Sequence, residues 1–164
     1  MSRKVFETFF SYGDWANAEI CRLARGLAES ALDQPFDMGL GTLRKTIKHI
    51  LDGETVWLER WQGRAETPWP SYDERPAIPE MTEGFAETAR RRAAFLATQG
   101  DADLARRVTY RDSKGSLFSA TLSEMISQMF VHSTHHRAQA CNMLRRVGAP
   151  PLELDFMVRV RQPA

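Results

Sequence analysis

The stretch that decides the fold lies near the end of the chain and reads TLSEMISQMFVHSTHHRAQACNMLRRVG from Thr121 to Gly148. Thr121 and Glu124 form a T-x-x-E capping box, in which each side chain satisfies a backbone amide left free at a helix start. The paired arginines before Val147 suit the negative end of the helix dipole, and the Gly-Ala-Pro-Pro segment that follows cannot continue a helix. The pattern therefore predicts a helix from about Thr121 to Val147.

Two histidines share the buried side of this predicted helix. On a wheel of 3.6 residues per turn with Met129 as zero, His136 falls roughly 20° and His132 roughly 60° from the core direction, whereas His135 falls roughly 120° away. The predicted core positions are Leu122, Met125, Ala140, Met143 and Val147. Two imidazoles at i and i+4 can reach one metal ion, although a buried histidine is often only a hydrogen-bonded core residue and H-x-x-x-H has many accidental matches.

Three further amphipathic helices are predicted upstream. Apolar residues at alternating steps of three and four predict helix 1 over roughly 3–29 and helix 2 over roughly 42–62, with Thr42 as the N-cap of the second. The same pattern predicts helix 3 over roughly 82–98, with Gly100 as a left-handed C-cap.

The connections between these helices complete the expected fold. Four of the eight prolines lie between Pro68 and Pro79, and because proline lacks the amide donor that a helix interior requires, they predict a long crossover loop after helix 2. The β-prone runs 108–110 and 117–120 flank turn residues and predict a small hairpin. We therefore expect an all-α protein, a four-helix bundle with a long second connection and a small β-hairpin before the last helix.

Length and charge restrict the function. The chain has 164 residues, 43% of them hydrophobic, which predicts a single domain over 1–164 with one core. A formal charge of +1 leaves no excess of positive charge to bind nucleic acid.

The longest stretch without a charged residue, Met125 to His136, has 12 residues, whereas a membrane helix needs about 20. Because the N-terminus also lacks the apolar core of a secretion signal, we expect a cytoplasmic protein with no nucleic-acid or membrane partner.

Several common catalytic arrangements are missing from the sequence. Cys21 and Cys141 have no partner at metal-binding or redox spacing, which disfavours a disulfide framework and a cysteine zinc site. The zinc proteases need H-E-x-x-H, but Ser133 follows the first histidine of the pair. There is no G-x-S-x-G elbow and no glycine-rich phosphate loop, so the histidines carry the strongest chemical signal.

A third imidazole is available on helix 2. His49 lies at the edge of the apolar stripe of that helix, about 100° from Ile50 on the wheel, so the sequence permits a metal-binding role without requiring it. Two inward histidines on a Met- and Leu-rich stripe each need a polar partner, and one shared cation satisfies both while keeping them neutral.

Four segments of the sequence, taken together with their order and separation, form a pattern that is specific enough to indicate a protein family. They are the opening helix with Tyr12, Trp15 and Asn17; LRKTIKHI from Leu43 to Ile50 followed by Glu54, Trp57 and Leu58; HSTHHRAQ from His132 to Gln139; and PPLELDF from Pro150 to Phe156. Over nearly the whole chain they resemble the DinB-like family of damage-inducible proteins, also called DinB/YfiT-like metalloenzymes.

The resemblance implies a four-helix bundle with up-down-down-up connections and a metal site. In that site His49, His132 and His136 hold one divalent ion, zinc or nickel, and His135 is passed over. Relatives in the wider superfamily include thiol-dependent transferases and isomerases that use low-molecular-weight bacterial thiols, and relatives commonly pair as homodimers. A DNA polymerase shares the name, but the resemblance implies no DNA-binding activity.

Such a site supports two hypotheses. A three-imidazole ion keeps a position open for water or substrate and can activate a water or a thiol, so the first hypothesis is an enzyme that hydrolyses or transfers groups on a small-molecule substrate. The second is a non-catalytic metal-binding or stress-response bundle that acts through homodimer or partner contacts. An accessible open position favours the first hypothesis, and a fourth protein ligand favours the second.

Other side chains could support the site. Candidate partners or bases for the imidazoles are Glu54, Gln128, Gln139 and Asp155. An apolar pocket could be lined by Trp15, Trp57, Trp61 and the methionines of the last helix, although such a regular stripe is more typical of core. The arginine runs 90–92, 106–107 and 145–146 could attract an anionic thiol, but nearby acids favour solvated faces.

Overall fold

Four long helices, two short helices and a two-stranded sheet make up residues 2–163, which are those that this computed structural model describes. In chain order the elements are α1 (Arg3–Arg25), α2 (Glu29–Leu32), α3 (Leu43–Trp61), α4 (Ile78–Ala97), a 3₁₀ turn (Asp103–Ala105), β1 (Arg107–Arg111), β2 (Leu117–Thr121), α5 (Leu122–Arg146) and α6 (Phe156–Val160). The predicted all-α bundle with a small hairpin is confirmed.

Contacts along α3 and α4 show that these two helices run parallel. At their starts, Arg44 donates to the carbonyl of Pro76 over 3.1 Å, and halfway along, the hydroxyls of Thr55 and Thr88 lie 3.2 Å apart. Near their ends, Arg91 pairs with Glu59. Since parallel neighbours need a connection as long as the bundle, residues 62–77 form the predicted crossover loop.

The other helix pairs complete the topology. Helix α1 runs parallel to α5, because Phe9 stacks on Phe130 at 4.7 Å between ring centroids and Asn17 meets Arg137 two turns further along both helices. Helix α5 runs antiparallel to α3, whose first turns face the last turns of α5 through Thr46 and Met143. The order is therefore up, down, down, up, as the family resemblance implied.

The first predicted helix is four residues too long. Helix α1 ends at Arg25, and Gly26 caps it. Ala28 then takes an extended conformation (φ −65°, ψ 152°), after which Glu29–Leu32 forms a separate turn of helix. Glycine is a poor helix former, and the apolar periodicity that continued to Leu27 hid this break.

The third helix starts at Ile78, four residues before the predicted start at 82, and ends without its predicted cap. Helix α4 begins at Ile78 because Pro79, assigned to the loop by its residue type, lies in the first turn, where no amide donor is needed. The carboxylate of Glu80 accepts from the amide of Ala77 at 2.7 Å. Thr98 caps the other end, and Gly100 does not take the positive φ of a left-handed cap.

The stretch from Thr121 onward folds as predicted. The amide of Thr121 donates to the Glu124 carboxylate at 2.7 Å, and the Thr121 hydroxyl accepts from the Glu124 amide at 3.3 Å. Gly148, just beyond the helix, has φ +81°. The two predicted β runs pair antiparallel, with Tyr110 opposite Phe118.

Two apolar clusters fill the bundle and leave a polar layer between them. One cluster contains Ile47, Ile50 and Met143. The other contains Trp57 and Trp61 with the methionines of the first half of α5, so these tryptophans belong to the core. On α3 the residues between the two clusters include Asp52 and Glu54, both buried.

Both cysteines are free. Within the described residues, no helix combines the length and the hydrophobicity needed to cross a membrane.

Candidate metal centre

Three of the four histidines meet beside this polar layer. His49 projects from α3 and His132 and His136 from α5, and each offers one nitrogen so that the three atoms all lie within 4.8 Å of one another. The Nε2 atoms of His49 and His132 are 3.0 Å apart. These three residues are called the histidine cluster below. His135 lies on the exposed flank, as the wheel predicted.

Gln139 orients His136. Its side-chain oxygen lies 2.7 Å from Nδ1 of His136, and because an amide oxygen only accepts, that nitrogen carries the hydrogen and Nε2 keeps its lone pair. The Gln139 amide nitrogen donates to Nε2 of His135 over 3.1 Å. Gly39 makes this arrangement possible, since a Cβ there would lie 2.6 Å from the Gln139 oxygen.

The other two rings contact each other through Nε2 and are otherwise oriented by packing. Nδ1 of His49 and Nδ1 of His132 are buried, and neither has a hydrogen-bond partner among residues 2–163. Trp69 stacks on His49 with 5.4 Å between ring centroids and 18° between planes. His132 lies against Gly53, where a Cβ would come within 2.8 Å of its Cε1. A side chain at position 53 would therefore displace the ring.

Burial keeps the cluster neutral at physiological pH. Desolvation, followed by the charges of His136 and Lys48, lowers the pKa of His49 to about 4. Desolvation and the three other histidines likewise lower the pKa of His132 to about 4. Burial also lowers the pKa of His136, against the opposing effect of Gln139. Neutral imidazole is the form that binds metal ions.

Of the four predicted partners, only Gln139 hydrogen-bonds a ring of the cluster. Gln128 is exposed and lines an outer groove with Phe6. Asp155 caps α6 by accepting from the amide of Met157 at 2.7 Å, which is the structural role the sequence also allowed.

Glu54 belongs to a separate buried group, called the ionic network below, that joins all four long helices. Its carboxylate accepts from Asn17 at 2.9 Å and from Arg92 at 3.1 Å, and Arg137 donates to the Asn17 side chain at 3.3 Å. Arg92 is only 1% exposed, so a solvated face was wrong for this arginine. The sequence signal for its burial was its position on the same helix face as Phe85, Thr88 and Leu96.

Sequence reasoning missed the wall formed by the crossover loop. Trp69 and Tyr72 lie 5.4 Å and 5.9 Å from the His49 ring, and Tyr72 is 44% exposed. An ion pair of 3.2 Å between Lys48 and Glu74 ties this loop to α3. Two aromatic residues among prolines were visible in the sequence, but helical periodicity does not extend into a loop.

The residues present fit a divalent ion. Two nitrogens on one tetrahedral zinc ion lie about 3.3 Å apart, close to the 3.0 Å between His49 and His132. Within residues 2–163, no further histidine, cysteine, aspartate or glutamate joins the cluster. The arrangement can therefore supply three neutral nitrogen ligands.

Known proteins are similar to this chain in sequence or in fold. Protein DinB of Bacillus subtilis (strain 168) is 21% identical over 154 residues, covering 90% of this chain and 88% of that protein. A DinB-like protein from Bacillus cereus ATCC 10987 superposes with a TM-score of 0.71 at 20% identity, covering 93% of this chain and 99% of that one. YfiT from Bacillus subtilis, described as a probable metal-dependent hydrolase with an unusual four-helix bundle topology, gives 0.65 at 20% identity and 90% coverage of both chains.

The family itself is shown by a match along the sequence rather than by these structural similarities. The family model for DinB matches residues 1–162, which is nearly the full length of 164 residues. The chain therefore belongs to the DinB family.

Proposed function

We propose that this protein is a metal-dependent enzyme in which His49, His132 and His136 hold one divalent ion, zinc or nickel. The observation that carries the proposal is the convergence of three imidazole nitrogens, from two helices, within 4.8 Å of one another. Their neutrality supports it, since the pKa of His49 and the pKa of His132 are both about 4. The description of YfiT as a probable metal-dependent hydrolase agrees with it.

A catalytic role is favoured over a purely structural one by the number of ligands. Structural zinc sites in proteins have four protein ligands, whereas catalytic sites have three and leave a position open. The cluster offers three among the residues that the structure describes. An ion held in this way would lower the pKa of a bound water to about 7 and would deprotonate a bound thiol.

The chain's own residues prepare this site. Gln139 fixes the tautomer of His136, and Trp69 covers one face of His49, which restricts water there. Tyr72 is exposed and lies 5.9 Å from the His49 ring, so we infer that substrate enters beside it. We infer hydrolysis of a small molecule, or transfer of a low-molecular-weight thiol to one. The same proposal includes the cytoplasmic location expected from the sequence and the homodimer that the family resemblance implies; light scattering at several concentrations tests the dimer.

Metal titration tests the centre. Metal-free protein is titrated with zinc and with nickel against a chelating competitor, and we expect one ion per chain. His132→Ala and His136→Ala should each weaken binding by about 100-fold or more, since loss of a ligand exceeds the 10–100-fold cost of losing an outer partner. His135→Ala is the matched control and should leave affinity unchanged. Equal affinity in all four proteins would place the ion elsewhere.

Turnover tests the catalytic role. The zinc- and nickel-loaded proteins are assayed on activated esters and amides, and on transfer of small thiols to an electrophile. We expect turnover that His132→Ala abolishes and His135→Ala keeps. Tight metal binding without turnover of any of these compounds would replace the enzyme with the non-catalytic metal-binding bundle.

A further inference from the structure

A cavity of about 410 Å³ lies between the end of α3, the crossover loop and the hairpin. Its lining includes Arg60 from α3, Trp69 from the loop, and Arg111 and Asp112 from the hairpin. The volume falls within the roughly 300–1,000 Å³ that is typical of small-molecule sites.

Arg60 is the unusual residue of this cavity. It is 3% exposed, it lines the cavity, and its Nε is buried without a hydrogen-bond partner among residues 2–163. Its guanidinium carbon lies 5.0 Å from the ring centroid of Trp57 and 5.3 Å from that of Tyr110. These ring faces hold the group in place but leave the N–H donors unused, and an unpaired buried charge is costly.

The other buried arginines are different, because each has polar partners. Arg44 bonds Asp33 at 3.0 Å, Arg92 bonds Glu54 at 3.1 Å, and Arg137 bonds the hydroxyl of Thr134 at 2.8 Å. An unused guanidinium is thus specific to Arg60 among the buried arginines of the described chain.

The acids that line the cavity are already engaged elsewhere. Glu66 pairs with Arg111 at 2.8 Å. One oxygen of Asp112 accepts from the amides of Lys114 and Ser116, both at 2.9 Å, and its charge reaches Arg60 without a hydrogen bond. The guanidinium is therefore available to an oxyanion from outside the chain, which would supply the acceptors that it lacks.

We propose that the Arg60 cavity binds an oxyanion, a carboxylate or a phosphate, at the far end of the substrate whose reactive group lies at the histidine cluster. Trp69 joins the two places, because it lines the cavity and stacks on His49. His49 and Arg60 are eleven residues apart on α3, which places them on one face and about 16 Å apart along its axis. The substrate is therefore elongated, with its anionic group remote from the reacting atom. This identification of the substrate rests on the proposed function.

Anion binding is tested on metal-free protein, so that an ion at the histidines cannot contribute. Succinate and inorganic phosphate are titrated separately at constant ionic strength and followed by backbone amide NMR shifts and by the thermal midpoint. We expect shifts at the cavity and a raised midpoint with at least one of them, and the tighter of the two identifies the anion as carboxylate or phosphate.

Variants separate recognition from structure. Arg60→Met keeps the side-chain volume and should weaken anion binding by about tenfold or more, the least that a lost charge-assisted hydrogen bond removes. Arg60→Lys keeps the charge, so its anion affinity should fall between that of Arg60→Met and that of the wild type. Arg64→Met, at an exposed arginine paired with Glu59, is the control and should bind as the wild type does. Arg60→Met should also be at least as stable as the wild type, because it removes an unpaired buried charge.

The outcomes distinguish this inference from the proposed function. If the wild type binds neither anion, or Arg60→Met binds as well as the wild type, the cavity is not an anion site even if the metal centre is active. If anions bind through Arg60 but the histidines bind no metal, the metal-dependent function fails and the anion site stands. His132→Ala should keep the anion affinity of the wild type.

Discussion

The histidine cluster and the ionic network are both buried polar groups that join α3 to α5, yet they differ in how well they are satisfied. In the network, Asn17 and Arg92 each donate to one oxygen of Glu54. In the cluster, the buried Nδ1 atoms of His49 and His132 have no partner in the described chain. Except at Nε of Arg137, which has no partner in the described chain, the side-chain hydrogen bonds of the network are completed by the protein itself, whereas those of the cluster are not.

This difference agrees with a structural role for the network and with the proposed metal-binding role for the cluster. Burial of rings without partners opposes their protonation, which is why the pKa of His49 and the pKa of His132 fall to about 4. Folding alone does not favour such an arrangement, and exceptions of this kind concentrate at functional sites. The network should therefore dominate the stability of the metal-free protein, and the cluster should dominate its binding.

The largest expected effect follows from breaking the network. Glu54→Ala removes the buried carboxylate that accepts from Asn17 and Arg92 and leaves Arg92 only its ion pair with Asp14. It should lower the free energy of unfolding toward the low end of the range of about 3–5 kcal/mol. His132→Ala in metal-free protein should cost clearly less, because it removes one hydrogen bond between neutral rings, that of Nε2 with His49, and no charged partner; Nδ1 has no partner to lose. Urea unfolding at pH 7 with a chelator present measures both.

A graded variant serves as the control. Glu54→Gln keeps an oxygen for Asn17 but loses the charge that pairs with Arg92, so its stability should fall between those of the wild type and Glu54→Ala. If His132→Ala proves as destabilising as Glu54→Ala, the two clusters are equivalent structural units and the comparison fails.

The second prediction concerns His136, the one ring of the cluster whose Nδ1 atom has a hydrogen-bond partner. Gln139→Leu removes the acceptor from Nδ1 of His136 and should weaken zinc binding by about 10–100-fold. Gln139→Glu keeps an acceptor and should retain the affinity. His135→Ala removes the other contact of Gln139 and serves as the control. Competition with a chelator measures all three, and unchanged affinity in Gln139→Leu would show that packing alone fixes His136.

A smaller effect is expected where packing orients a ring. The Cβ of Gly53→Ala would come within 2.8 Å of His132, so the ring must shift, and zinc affinity should fall about tenfold, the low end of the cost of disturbing an outer partner. Gly84→Ala is a close match, because its Cβ would lie 2.8 Å from the apolar Leu51. This control should leave zinc affinity unchanged, and an equal loss in both variants would point to general distortion of the bundle.

Much of this arrangement was predictable because it depends on helical periodicity and local capping. The face of α5, its capping box and the inward direction of His132 and His136 followed from spacing. The position of Trp69 beside His49 could not be predicted in this way, because residues in a loop follow no regular hydrophobic periodicity. The buried Arg92 was missed because its residue type outweighed its position in the stripe, and Pro79 was misplaced because a first helical turn accepts proline.

The smallest expected effect is the pH dependence of metal binding, and it separates buried rings from ordinary ones. Metal ions compete with protons for imidazole. If all three rings had the usual pKa of 6.5, protonation of each would lower the metal affinity about tenfold between pH 7.5 and 5.5, and the three together would lower it about a thousandfold. Since the pKa of His49 and the pKa of His132 are about 4, these rings stay unprotonated over that range, and the total loss should be below about tenfold. Affinity should then fall steeply as the pH drops through about 4. Trp69→Ala exposes His49 and raises its pKa, so this variant should lose more metal affinity near pH 6 than the wild type does. His135→Ala should follow the wild type. A thousandfold loss in the wild type by pH 5.5 would show that the rings are solvated like surface histidines.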